Sequence, residues 1–168
     1  KRSFSEMVAG SAKRFTQMGD TETPSRIYIA ESAVDGLSIY QHDHQPERAL
    51  IVSPFGNPSG VALQEFRKLI ERHPQAEVHV AMDNDADGRR FAEMFEAQVK
   101  AARGPQAGVV DRRPGAEFKD WNDQIRGITR EQAAKAKAER QAAEEKARRE
   151  AEAKAREEEQ KRAYRPGP

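Results

Sequence analysis

The sequence contains no cysteine. That absence excludes a disulfide framework, thiolate-bound zinc and a cysteine nucleophile together, and it fits a cytoplasmic location. No apolar stretch approaches the ~20 residues needed to cross a bilayer, and no signal-peptide pattern opens the chain, so no membrane partner is expected. Charge of one sign is also missing: 29 basic residues stand against 28 acidic ones, a formal net charge of +1. Sequence-independent attraction to nucleic acid scales with the number of phosphates neutralised, so it is expected to be weak and local here. The histidines at 42, 44, 73 and 79 lack ligand spacing, apart from His42 and His44 in a polar turn, and take no role. The chain of 168 residues begins at Lys1 rather than at a methionine and reads as a piece of a longer protein.

Charged residues make up 34% and apolar ones 36% of the chain, but they are unevenly placed. Residues 1–24 read as a helix with apolar positions Phe4, Met7, Val8, Phe15 and Met18, followed by a polar linker from Gly19 to Pro24. Residues 25–128 alternate β-rich apolar runs with helical patterns. The strands are Arg26 to Ala30, Ala49 to Ser53, Glu77 to Met82 and a short fourth at Ala107 to Val110. Between them lie helices from Ala33 to Tyr40, Val61 to Arg72 and about Gly88 to Lys100, with a capped helical turn at Lys119 to Ile125 closing the domain. Such alternation implies an α/β domain, about four mainly parallel strands flanked by helices, with ligands beyond the C-terminal strand ends.

Residues 129–168 form a charged extension. Between Arg130 and Ala163 alanine is the only apolar residue, and glutamates precede basic residues by four positions at Glu131/Lys135, Glu144/Arg148, Glu145/Arg149, Glu150/Lys154, Glu152/Arg156 and Glu158/Arg162. Each pair adds about 0.2–0.5 kcal/mol to an isolated helix. Large residues at heptad a and d positions are absent, which argues against a coiled coil and for a solvated helix or a partly disordered spacer.

The third strand runs into Asp83-Asn84-Asp85-Ala86-Asp87-Gly88. Three carboxylates at alternate positions, in a chain with no thiolate to offer, favour a hard cation. The first six positions match a calcium loop, but the twelfth, which must be a bidentate glutamate, is Met94, and a strand precedes the loop instead of a helix. The plain structural alternative is that the aspartates cap the following helix. Glu31, at the end of another strand, brings a fourth acid to the same sheet edge, a concentration of charge that folding resists unless a cation offsets it.

These residues resemble the Toprim domain of bacterial primases, topoisomerases and certain nucleases. The likeness lies in Glu31-Ser32-Ala33-Val34-Asp35-Gly36-Leu37-Ser38, in Asp83 to Gly88, and in Lys119-Asp120-Trp121-Asn122-Asp123, and covers about Arg26 to Arg126. It is nearest to the Toprim-like domains of plasmid relaxase, mobilization and primase-like proteins. The resemblance implies a Rossmann-like fold, a role for Glu31 as general base or acid, and Mg²⁺ (or Mn²⁺) held by Asp83 and Asp85 with Glu31. Lys119 is a second candidate catalytic residue through contact with a phosphate. Asp35 and Asp87 are candidates for supporting the metal's surroundings or capping a helix. Arg89 is a further candidate for a phosphate, and Arg112 and Arg113 for guiding a strand. Trp121 is either a base-stacking residue or core.

The implied function is a Mg²⁺-dependent module of a larger DNA-processing protein, of mobilization, conjugation or DNA-replication type. It would transfer phosphoryl groups on single-stranded or nicked DNA or on nucleotides, beside the other domains of its parent protein. A complete topoisomerase is disfavoured because Tyr28, Tyr40 and Tyr164 lie in a strand, a helix and the tail, and a complete primase because its zinc module has no cysteines to use. Two alternatives remain: a non-catalytic DNA-binding or protein-docking module, and a nucleotidyltransferase or hydrolase acting on a small substrate.

Overall fold

Side chains alternate from face to face along a strand, so strands whose residues are apolar at every position must be covered on both sides. The computed structural model describes residues 15–163 and shows this arrangement. The elements are β1 (Thr16–Gly19), β2 (Arg26–Ala30), α1 (Ala33–His42), β3 (Ala49–Ser53), α2 (Gly60–Arg72), β4 (Glu77–Ala81), α3 (Ala86–Arg103), β5 (Val110–Asp111), α4 (Trp121–Arg126) and α5 (Arg130–Ala163). Five strands form one sheet in the order β1-β3-β2-β4-β5, and every pairing is parallel except that of β1 with β3.

Ile27 and Ile29, Leu50 and Val52, and Val78 and Val80 face α2 and α3, where they meet Phe66, Leu69, Ile70, Phe91, Phe95 and Val99. Tyr28, Ala30, Ala49, Ile51 and Ala81 face the other way and meet Ile39 of α1 and Trp121 of α4. Each such fully buried aliphatic side chain contributes about 1.5–3 kcal/mol relative to exposure. A Cβ on Gly36 would stand 2.3 Å from Ile51 Cγ2, so glycine there lets α1 lie close against β3.

Two features depart from the sequence expectations. The sheet has five strands, not about four, and the extra one lies within the segment expected to be helical. Of that expected helix, residues 4–14 lie outside the described residues, while Thr16–Gly19 is a strand paired antiparallel to β3, with Met18 opposite Ile51. Phe15 and Met18 were expected on one helical face. In the sheet they serve opposite layers, Phe15 packing against the α2/α3 core and Met18 against the α1/α4 core. The exposed backbone edge of β3 supplies hydrogen-bond partners that local helical spacing does not register.

Residues 1–129 and 130–168 form two compact units. The second is built on α5, a helix of 34 residues whose described side chains form no buried apolar face. Of the four ion pairs described on it, three run opposite to the expected direction. Glu145–Arg149 forms as read from the sequence, whereas Arg140–Glu144, Lys146–Glu150 and Arg148–Glu152 place the base first. No described helix is long and apolar enough to cross a membrane.

Candidate functional site

The strand order decides which acids meet. From β2 the chain crosses through α1 to β3 on one side, and later returns through α2 to β4 on the other. The two connections cover opposite faces of the sheet, so β2 and β4 flank the point where the winding reverses, the usual place for a ligand in such folds. Ala30 pairs with Ala81. Glu31 therefore leaves β2 beside the segment Met82-Asp83 that leaves β4.

Local chemistry then shapes each end. Ser32 caps α1, its Oγ accepting from the Asp35 N–H at 3.1 Å. Asp85 caps α3, its Oδ1 accepting from the Gly88 N–H at 2.8 Å. The helix thus begins at Ala86, two residues earlier than its sequence pattern indicates. Gly88 is required by close approach, since a Cβ there would lie 2.1 Å from the Asp83 carbonyl oxygen. Any side chain at 88 would push α3 away from the strand end and move Asp83 with it.

Asp83 is 5% exposed, and Lys119 Nζ donates to its Oδ2 at 2.7 Å across 36 residues of sequence. Burial raises the Asp83 pKa, and the Lys119 hydrogen bond and charge oppose it. Burial lowers the Lys119 pKa, but the same bond and charge raise it overall. The two directions pull apart on the worth of the pair. The Asp83 direction governs, because its side chain is 7% exposed against 51% for Lys119 and carries the larger desolvation cost.

Glu31 is half-buried, and its Oε2 is buried without a hydrogen-bond partner. Burial first, then the negative charges of Asp83 and Asp85, push its carboxyl up to about 7, against a smaller opposing pull from Lys119. A carboxyl titrating there can accept or deliver a proton near neutrality. Its main-chain carbonyl is held from the next strand's loop: Gly56 N donates to it at 3.0 Å and Ser53 Oγ at 3.1 Å.

The other sequence candidates divide. Asp35 is 7% exposed and bridges elements, its Oδ1 accepting from the Asn122 N–H at 3.1 Å while its Oδ2 bonds Ser32 Oγ. It braces α1 to α4. Asp87 is not the cap of α3; it lies exposed in the first turn, paired with Arg90 at 3.0 Å. Arg112 is committed to an ion pair with Asp43 and lies over the Trp121 ring, 5.7 Å from its centre, which leaves little of it to guide a strand. Arg113 grips Asp111 through two nitrogens. Arg89 is exposed and forms no ion pair among the described residues; with Arg113, Asp111, Glu93 and Glu96 it lines a cleft of about 230 Å³ beside α3 and β5. Trp121 is core, 3% exposed, its Nε1 donating to the Arg112 carbonyl at 2.6 Å. A larger cavity of about 770 Å³, lined by Phe15, Gln17, Glu65, Lys68, Glu71 and Arg72, includes none of the candidate residues.

Sequence reasoning missed Asn84. Its Nδ2 donates to the carbonyls of Pro114 at 2.7 Å and Gly115 at 3.0 Å, with Phe118 O at 3.4 Å, and its N–H donates to Lys119 O at 2.8 Å. These bonds gather the loop that delivers Lys119 to Asp83. The only signal was an amide set among the acids of the Asp83 to Asp87 run, where a neutral two-hydrogen donor stands out.

Among the described residues no three His, Asp or Glu side chains are drawn together closely enough to hold a metal ion as they stand. The donor chemistry still fits a hard cation. Glu31, Asp83 and Asp85 are all carboxylates at one strand edge, and the unpartnered Oε2 of Glu31 is a buried acceptor with no donor.

Comparison with known proteins accords with this geometry. A family model described as Toprim-like matches residues 28–125, more than half of the chain. A "65 kDa protein" of Zymomonas mobilis subsp. mobilis is 34% identical over 124 residues, covering 68% of this chain and 20% of that protein. The chain therefore spans about a fifth of the length of that curated relative. No solved structure matches. The matched segment takes in the C-terminal part of β2 with Glu31, β4 with its acidic end, and Lys119, and on that match the chain belongs to the Toprim-like family.

Proposed function

We propose that this chain is the metal-dependent module of a larger DNA-processing protein of the plasmid mobilization, relaxase or primase-like kind, acting in phosphoryl transfer on DNA or nucleotides. The observation that carries the reading is Glu31: a half-buried carboxyl with one unpartnered buried oxygen, pushed up to about 7, on the same sheet edge as Asp83 and Asp85. Toprim domains generally bind divalent metals and act on DNA, and the match to a fifth of a longer relative is in keeping with a module among other domains. Asp83, Asp85 and Glu31 would hold Mg²⁺ or Mn²⁺, which supplies charge neutralisation at a phosphate when bound. Glu31 holds or releases the proton of the attacking or leaving hydroxyl. Lys119, its side chain half exposed and its ammonium anchored to Asp83, offers that ammonium to a phosphate oxygen. Arg89, which forms no ion pair among the described residues, adds a cation near the start of α3.

Calorimetric titration with Mg²⁺ and Mn²⁺, run in parallel on wild type and Asp83→Asn/Asp85→Asn, tests the binding half. DNA nicking, primer synthesis and nucleotide hydrolysis, each with Glu31→Gln as control, test the chemistry. The reading expects metal binding lost in the double variant, and turnover lost with metal binding largely kept in Glu31→Gln, where Asp83 and Asp85 remain. Identical titrations for wild type and double variant would sink it. Turnover confined to free nucleotides would transfer the site to a small-substrate enzyme.

A further inference from the structure

Five large apolar side chains are exposed in the described structure, and three of them, Val34, Phe55 and Val61, follow the C-terminal ends of the adjacent parallel strands β2 and β3. Phe55 is the unusual one. It is 55% exposed and meets no other ring among the described residues, while its backbone sits in the left-handed region at φ 53°. A bulky aromatic rarely adopts that conformation, which carries a cost that the surroundings must offset. The surroundings here are Glu31 itself. Ser53 Oγ donates to the Glu31 carbonyl and accepts from the Phe55 N–H at 3.2 Å, and Gly56 N donates to the same carbonyl at 3.0 Å. Pro54 and Pro58, both buried, pin the loop on either side. The ring is therefore carried on backbone tied to the main chain of the proton-transfer residue, and it stands in solvent instead of in the core.

We propose that Phe55 is a stacking platform for a nucleobase of single-stranded nucleic acid whose phosphate lies at Glu31, Asp83 and Lys119. This rests on the reading that the site handles a nucleic-acid phosphate. An aromatic face is the surface that unpaired bases seek, and stacking tolerates every base because each has a π-face. A base paired within a duplex would present its edge and not its face, so the platform selects unpaired strand. With a net charge of only +1 the chain cannot depend on phosphate attraction alone to hold a strand. One stacked base beside the site supplies both grip and register.

The test uses the full chain with Mg²⁺ present and fluorescence anisotropy on two labelled probes, an oligothymidylate and an abasic strand of equal length. Phe55→Asn and Phe55→Gly both accept the left-handed backbone, and so remove the ring without straining the fold; Phe55→Trp restores a larger ring. The expected result is roughly tenfold or greater weakening on oligothymidylate for Asn and Gly, affinity kept in Trp, and no change on the abasic strand. The dependence of affinity on salt should keep its slope, since no phosphate contact is lost. Affinities for oligothymidylate within twofold of wild type in both the Asn and Gly variants would overturn the stacking role and leave the DNA reading standing. Equal weakening on both probes would overturn it too, because the ring would then be acting on the backbone. Failure of wild type to bind either strand would overturn the stacking role and the DNA reading together.

Discussion

Replacing Glu31 by Gln should stabilise the protein at alkaline pH and leave it unchanged in acid. The folded carboxyl titrates at about 7 against an ordinary 4.5, chiefly through burial and then through Asp83 and Asp85. Below roughly pH 4.5 the group is protonated in both folded and unfolded chains and costs nothing. Between 4.5 and 7 the folded state holds the proton more firmly, so stability falls as pH rises. Above 7 the cost is complete. The shift corresponds to about 3 kcal/mol at ~1.4 kcal/mol per unit, and the side chain's remaining contact with water reduces this to about 1–3 kcal/mol. Gln keeps the shape and never carries the charge. Urea unfolding in EDTA at pH 4 and pH 8, with unchanged m-values, should show the variant equal to wild type in acid and about 1–3 kcal/mol more stable in base. A variant less stable at pH 8, or a difference independent of pH, would refute the picture of Glu31 as a carboxyl held in an unfavourable field.

Lys119→Met should destabilise the metal-free protein by about 1–3 kcal/mol at neutral pH, because Asp83 stays buried without its ammonium partner; the loss should shrink in acid as Asp83 takes up a proton, as chemical denaturation at two pH values would show. Gly88→Ala should cost about 2–3 kcal/mol, since a Cβ 2.1 Å from the Asp83 carbonyl oxygen cannot be relieved by rotating a side chain; a thermal shift within error of wild type would contradict that geometry. Asn84→Asp replaces a donor with a carboxylate against the carbonyls of Pro114, Gly115 and Phe118 and should cost about 1–3 kcal/mol. Hydrogen exchange at residues 115–119 should accelerate in the same variant, and unchanged protection there would show that Asn84 does not hold the loop.

Much of the architecture was legible because its cause is local. Apolar runs of four or five residues alternating with helical spacing can be buried only as a covered parallel sheet, so β2, α1, β3, α2, β4 and α3 appear close to where their patterns put them. The acids at strand ends were legible for the same reason, since a parallel α/β sheet brings such ends to one side. The first strand was not. Phe15 and Met18 satisfy helical spacing equally well, and only the free edge of β3 decides between helix and strand. On α5 the chain's charges specify a helix, but the partner each charge takes follows from side-chain geometry, and three of the four described pairs run opposite to the simple rule.

What the sequence determined by itself is the set of chemical means: no thiol, carboxylates in place of softer ligands, an α/β frame, and a motif order that marks the family. Tertiary structure alone decided how those means are used. Seating β2 beside β4 made Glu31 and Asp83 neighbours, and closing the loop through Asn84 brought Lys119 to Asp83 from 36 residues away. It also turned Asp85 into a cap, withdrew Asp35 and Trp121 into the scaffold, and left Phe55 standing in solvent. The reason is that local patterns record which face of an element is buried, while pairing between distant segments depends on strand order and register. Those are set only when the whole sheet closes.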